Sequence, residues 1–335
     1  MLENPQHIIK IQKYNAPSLP EDPAQLPDVI YIPFLNRYDN LNDLLLSLSW
    51  FENQIVILTS NENGKAKINT TKNNHVSFIN CSKYKQTNKI RKLKTFQSSN
   101  LHQEIGEWDL PLKRNFALLH AKQNKLDRIL LIDDDIEGVS KTKLNLGVAA
   151  LSSNNISGCL IVDFPDTSVI GHIEQTYGEP YFPFLSGNFM FIDSRKTKSF
   201  FPRIYNEDWL FMIPSILENK VSVVGEVSQK RYDPFDDICR IRLQEFGEVM
   251  AEGLFELINQ TKFEDRYKEH FWSDYLNYRK SYVKELLPQA SKTFAYFITE
   301  SLAYSEKIKA RNCIEFIENW EDDILTFNSI IENEA

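Results

Sequence analysis

Three consecutive carboxylates, Asp133, Asp134 and Asp135, close the apolar run Arg128-Ile-Leu-Leu-Ile. Acids packed this closely repel one another unless a cation is shared among them. A hard divalent ion such as Mg²⁺ or Mn²⁺ takes oxygen ligands of this kind, and a bound phosphate completes its shell. In an extended chain the first and third acids of an Asp-x-Asp spacing point to one side. Asp133 and Asp135 are therefore the expected metal ligands. Asp133 and Asp134 are also placed to bond the ribose or sugar of a nucleotide ligand. The alternative is a strand end capped by solvated acids.

Lys113, Arg114 and Asn115 stand at the start of a helix immediately before that run. Free N–H groups and a partial positive charge make a helix start a phosphate site, and cations there oppose the dipole until an anion binds. Ordinary surface charge is the competing reading. Further along, Asn206-Glu207-Asp208-Trp209 reads as another helix start, with Asn206 as the N-cap and two acids in the first turn. The chemical reading makes Asp208, with Glu207 beside it, the base that takes a proton from an acceptor hydroxyl. In Ser186-Gly187-Asn188 the glycine either lets backbone approach a ligand or makes a turn. Asp163 and Asp166 follow a short strand, and His172 is expected to be structural.

These residues need a sheet to position them. Asp28–Phe34 and Gln54–Ser60 read as strands, joined by a helix through Leu41, Leu44, Leu45 and Leu48. A strand–helix–strand unit implies parallel pairing, and ligands then sit beyond the carboxyl ends of the strands. Pro33, Asn36, Arg37 and Thr59 occupy such ends and join the expected donor site. His75–Asn80 is a further strand, and the basic stretch Lys83 to Lys94 is a solvated face or an arm that meets a phosphate-bearing ligand. Leu110 to about Gln123 is a helix with Pro111 in its first turn. Strands follow over 158–163, 184–193 and 221–225. Beyond Pro234 the pattern turns helical, with Leu243, Phe246, Met250, Leu254 and Leu257 on one face and Cys313, Ile317, Trp320 and Ile324 on another. The expected division is 1–235 and 236–335. Residues 1–27 hold a short apolar stretch, His7–Ile11, and a Pro-rich connector.

The 335 residues carry a formal net charge of −8 and are 42% hydrophobic, which provides a core and argues against a general nucleic-acid binder. Cys81, Cys159, Cys239 and Cys313 form no Cys-x-x-Cys pair, so reduced thiols are expected. No apolar run reaches the roughly 18–20 residues of a membrane span, and Met1–His7 lacks a leader pattern. A cytoplasmic protein is expected. The aromatic tail (Phe271, Trp272, Tyr275, Tyr278, Tyr282) suits core packing first, and equally allows an acceptor site, a dimer contact or a membrane surface. Oligomeric state is not fixed by these patterns.

In order along the chain, Val29-Ile-Tyr-Ile-Pro33, Arg114-Asn115 with Ala121, Leu131-Ile-Asp133-Asp134-Asp135 and Glu207-Asp208 resemble the nucleotide-sugar glycosyltransferases of the GT-A fold, especially the large inverting bacterial family. The resemblance covers about 28–235. The strings around Asp163, Phe184 and Tyr205 are similar to a poorly characterised branch. It implies a GT-A-like (Rossmann-like) α/β fold, with a mostly parallel sheet, flanking helices and a helical C-terminal extension. It implies Mn²⁺ or Mg²⁺ on the diphosphate of a nucleotide-sugar donor, and a glycan or small-molecule acceptor. Asp208 becomes the catalytic base. Leu58-Thr59-Ser60 lacks the acid many members use on the nucleotide base. Gln229, Lys230 and Asp233 stand where a late His ligand would be. A retaining transferase and a non-catalytic scaffold remain alternatives. A sugar-1-phosphate nucleotidyltransferase would carry a Gly-rich loop that Pro33-Phe-Leu-Asn-Arg37 lacks.

Overall fold

The computed structural model describes residues 12–13, 25–60, 75–97, 109–164, 167–179 and 183–334. The stretch His7–Ile11 and Asp166 lie outside them. Among the described residues there are nine strands: β1 Gln12–Lys13, β2 Val29–Pro33, β3 Gln54–Thr59, β4 Val76–Asn80, β5 Arg128–Ile132, β6 Ile136–Glu137, β7 Ile156–Ile161, β8 Leu185–Asp193 and β9 Val221–Gln229. There are also eleven helices: α1 Tyr38–Ser47, α2 Lys85–Ile90, α3 Lys94–Gln97, α4 Leu110–Gln123, α5 Lys141–Ala150, α6 Val169–Thr176, α7 Glu207–Leu217, α8 Cys239–Asn259, α9 Glu269–Glu285, α10 Lys292–Ser305 and α11 Ala310–Glu334.

Eight strands lie in the order β1-β9-β7-β8-β5-β2-β3-β4, and β6 pairs with β9 off this path. The sheet is mostly parallel but mixed. β8 runs antiparallel to both neighbours, β5 and β7. All nine residues of β8 are buried. A strand buried on both faces reads as one apolar run whichever way it points, so its direction is not legible in the pattern. The reversal brings the amino end of β8 to the edge where β5 and β7 finish.

Alternation along the strands divides the core. Ile30 and Ile32 face α1 and α5, in a cluster with Leu41, Leu44 and Val148. Val29 and Tyr31 face the other way, in a cluster with Phe116 of α4, Phe211 of α7, Phe246 of α8, Trp272 of α9 and Trp320 of α11. The helices after residue 236 therefore close one face of the sheet. Trp272 and Tyr275 are buried there, as core packing requires. A smaller cluster joins Ile170 of α6 to Ile241, Val283 and Phe297.

The strand order changes direction at β2. Successive strands β3 and β4 lie on one side of it and β5 on the other. The crevice between the carboxyl ends of β2 and β5 is thus a topological switch point, where open α/β sheets bind ligands.

Candidate functional site

β5 ends at Ile132, and Asp133–Asp135 form a turn beyond it, closed by the Ile136 N–H donating to the Asp133 carbonyl oxygen at 3.3 Å. The extended geometry expected of the Asp-x-Asp triplet is therefore replaced by a turn that parts Asp133 from the other two acids. Asp133 meets Arg114 of α4 at 3.2 Å. Asp134 and Asp135 both meet Arg37, at 2.5 Å each. Asp134 is 1% exposed, and burial first, then its neighbours Asp135 and Asp133, push its carboxyl up to about 7 despite Arg37. Burial likewise raises Asp135. Arg37 follows Asn36, whose φ of 60° is left-handed and turns the chain back over the acids.

Arg114 is the hub. It is fully buried and donates to Glu207 Oε1 at 2.8 Å, to Asp133, and to Asn188 Oδ1 at 3.4 Å. Burial opposes its charge, but Asp133, Glu207 and Asp208 outweigh burial and hold it protonated. Gly187 is small because of Arg114. A Cβ there would lie 2.2 Å from an Arg114 terminal nitrogen. Gly187 lies within β8 and makes no turn; the buried guanidinium accounts for its missing side chain.

Lys113, one position earlier, points elsewhere. Its Nζ donates to the Phe34 carbonyl oxygen at 2.9 Å and to Asp109 at 2.8 Å. It fastens α4 to the loop after β2 and does not line the cavity below. Asn115 pairs its amide with the backbone of Phe201, at 2.7 and 2.8 Å, and is equally structural.

Glu207 and Asp208 open α7 as expected, but Asn206 is no side-chain cap. It adopts φ 62° and its Nδ2 donates to Glu248 of α8 at 2.9 Å. Burial pushes Glu207 up to about 8, with Arg114 working against the shift. Asp208 accepts from the Gly187 N–H at 2.6 Å and the Trp209 N–H at 2.9 Å, while burial raises its carboxyl overall.

These groups line one cavity of ≈ 520 Å³. Arg37, Arg114, Asp133, Asp135, Asn188 and Gln229 form its sheet side; Tyr205, Glu207, Asp208, Trp209, Tyr232 and Arg240 form much of the rest. Of the expected site residues, Arg37, Arg114, Asp133, Asp135, Glu207 and Asp208 come together. Pro33, Asn36, Thr59, Lys113, Asp134 and Gly187 are not among the lining residues. Thr59 turns its hydroxyl to the Ile79 carbonyl oxygen at 3.5 Å. His172 is buried beside Tyr232, and burial first, then Arg240, lowers it to about 4.

In the sequence Asn188 stands out only as the neighbour of Gly187, and Gln229 only as standing where a late His ligand would be; neither carries an expected role, and the aromatic wall is not anticipated. Gln229 donates to Asp135 at 3.4 Å and accepts from Asn188 at 3.4 Å, at the end of β9. The Phe184–Trp209 pair meets edge to face at 4.5 Å. The signals for Gln229 were its place at the carboxyl end of a late strand and, from the resemblance, its position in the segment where a late His ligand would stand.

A larger cavity, ≈ 820 Å³, opens at the amino end of β5. Its charges pair with one another, Arg128 with Asp28 at 2.9 Å and Arg195 with Asp193 at 2.9 Å, so it offers less chemistry.

Among the described residues no three His, Cys, Asp or Glu side chains form a metal group. Asp135 Oδ1 is buried without a hydrogen-bond partner. A hard divalent ion here would have at most two carboxylates, Asp133 and Asp135, and would need its other ligands from a bound phosphate and water. These donors do not suit an all-protein cage. No protein-family model matches the chain, and no curated protein matches it.

Proposed function

We propose that this chain is a glycosyltransferase of the GT-A type that moves a sugar from a nucleotide-diphosphate donor to an acceptor hydroxyl with inversion. The observation that carries the reading is the convergence, at the switch point, of Asp133 and Asp135 with the Glu207–Asp208 helix start in one cavity. The mixed sheet supports it, because β8 brings Gly187 and Asn188 against Asp133 and Asp208.

Asp133 and Asp135 would hold Mn²⁺ or Mg²⁺ against the donor diphosphate. The ion supplies Lewis-acid stabilisation of the departing nucleoside diphosphate. Arg37, half in water, stands ready to exchange a carboxylate for a phosphate oxygen. Arg114 fixes Asp133 and Glu207 and places positive charge behind the leaving group. Asp208 takes the acceptor hydroxyl proton as the hydroxyl oxygen bonds the anomeric carbon. The bond from that carbon to the diphosphate breaks, and its electron pair leaves with the diphosphate. The two N–H groups on Asp208 orient the carboxylate, while burial keeps it basic enough to accept the proton. Trp209 and Tyr205 provide apolar faces for a sugar ring.

The test is calorimetric titration of nucleoside diphosphates and nucleotide-sugars, with and without Mn²⁺, into the wild type and Asp133→Ala/Asp135→Ala. Metal-dependent binding that the variant loses is the expected result. A folded wild type that binds no nucleotide overturns the reading.

A further inference from the structure

Positions 63–103 hold nine Lys and Arg and no Asp or Glu, in a chain of formal net charge −8. The described part of this segment is organised by α2. Thr87, Ile90 and Leu93 turn inward and are buried, with Thr87 Oγ1 donating to the Cys81 carbonyl oxygen at 2.5 Å. Lys85, Lys89, Arg91 and Lys92 are exposed. The turn geometry continues past α2, where the Lys92 N–H reaches the Lys89 carbonyl oxygen at 3.1 Å. Lys85, Lys89 and Lys92 therefore stand at i, i+4 and i+7, on one stripe. α3, which follows the stripe, is tied to α11. Asp323 of α11 accepts from the backbone N–H groups of Lys94 and Thr95 at 2.8 and 2.7 Å.

Two exposed apolar side chains accompany these charges. Tyr84 is 41% exposed and immediately precedes α2, its ring edge-on to Phe116 with centroids 4.9 Å apart. Leu35, 59% exposed, follows β2. β2, β3 and β4 are parallel, so Leu35 and the segment that follows β4 lie at the same edge of the sheet.

We infer that this face docks on an anionic lipid bilayer surface. Clustered cations are drawn to anionic headgroups, and a Tyr and a Leu among them enter the headgroup–acyl boundary. Lys94 is paired with Asp322 of α11 at 2.6 Å and adds no charge to the face, which rests on Lys85, Lys89, Arg91 and Lys92; acids farther than a Debye length of about 8–10 Å are screened. A single-stranded nucleic acid calls instead for a basic groove with aromatic stacking platforms. Here one tyrosine precedes an outward helix face and an aliphatic side chain shares its edge of the sheet. Docking turns the carboxyl edge of the sheet toward the bilayer. Asp133 then lies three strand spacings from β4, roughly 15 Å along that edge. The inference is independent of the proposed reaction.

Co-sedimentation of the full chain with vesicles tests it, using phosphatidylcholine alone and phosphatidylcholine mixed with phosphatidylglycerol. The wild type is expected to bind only the mixed vesicles, and less as salt rises. Lys85→Glu/Arg91→Glu/Lys92→Glu should lower the partition coefficient by roughly 100-fold or more. Tyr84→Ser should lower it several-fold while leaving the salt dependence. A folded wild type that ignores the mixed vesicles overturns the inference. So does a triple variant, of unchanged circular dichroism, that still binds them. Salt-sensitive binding of an oligonucleotide without vesicle binding overturns it in favour of a nucleic-acid partner.

Discussion

The Arg37 guanidinium lies 2.5 Å from Asp135 and 2.5 Å from Asp134, and so supplies the positive charge that two of the three adjacent acids require, Arg114 serving Asp133. Half of the Arg37 side chain is in water, whereas Asp134 and Asp135 are buried. The pair is therefore asymmetric: the cation is free to leave and the anions are not.

Arg37→Ala should destabilise the protein by about 1–2 kcal/mol near neutral pH. That is below the roughly 3–5 kcal/mol of a fully buried pair, because solvent screens the guanidinium. Mn²⁺ should then stabilise the variant more than the wild type, since binding to the native state alone raises stability by mass action. Thermal melts with and without Mn²⁺ measure both effects. Equal metal responses in the two proteins would show that Arg37 and a metal do not share the acids.

Gly187→Ala should cost about 1–3 kcal/mol, as an overpacked site does. The obstructing atoms are the far end of an arginine, which elsewhere would swing aside. Here Arg114 is fixed by Glu207 and Asp133 and has no solvent to move into. Urea unfolding reads the loss, and a nucleotide titration reads the accompanying displacement of Asp133. A variant as stable as the wild type would mean that Arg114 has a second buried position.

How much of this was legible follows from particular residues. Strands β2 to β5 and β7 to β9 were readable as short apolar runs, and the carboxyl end of β5 located Asp133 and Asp135; β1 and β6, two residues each, carry no such run. Lys113 and Arg114 were not separable, because α4 is buried over Pro111–Leu119 and periodicity assigns neither side chain a side. One step of about 100° around the helix sends Lys113 to Phe34 and Arg114 to Asp133. Asn206 has the composition of an N-cap, but Glu248 of α8 claims its amide, a contact 42 positions away. Gly187 and Gln229 owe their roles to partners that only the β8 reversal and the end of β9 bring near.

Asp208→Asn preserves volume and removes the base. On the proposed mechanism it should lower turnover roughly 10²–10⁴-fold with nucleotide binding nearly unchanged. Glu207→Gln should instead lower stability and nucleotide binding together, because it takes one of three carboxylates from Arg114 and leaves Asp133 and Asp208. Parallel turnover and titration measurements separate the two. If Asp208→Asn retains full turnover, a retaining route that needs no base at this position gains the argument.

The last expectation concerns pH and a buried cluster beside the cavity. Glu245, Glu248 and Glu252 of α8 face one guanidinium, Arg279 of α9, with Glu245 at 3.0 Å and Glu248 at 3.5 Å. Glu248 also accepts from Ser168 and from Asn206, each at 2.9 Å, so it holds the residue that precedes Glu207. Burial first, then Glu252, raises the Glu248 carboxyl against Arg279. Burial and Glu252 push Glu174 up to about 7. Glu207, at about 8, shares the sign. An unfolded glutamate titrates near 4.3, so between that value and about 7–8 the folded chain holds protons that the unfolded chain has released. Stability is therefore greatest on the acid side of this window and falls as pH rises through the folded values. The melting temperature should drop between pH 6 and pH 8.5. Glu248→Gln has no charge to expose; its amide oxygen can still accept from Asn206, while its NH2 would donate to the Ser168 hydroxyl instead of accepting from it. It should flatten the profile; a slope parallel to that of the wild type would show that Glu248 is ionised throughout and that Arg279 neutralises the cluster unaided.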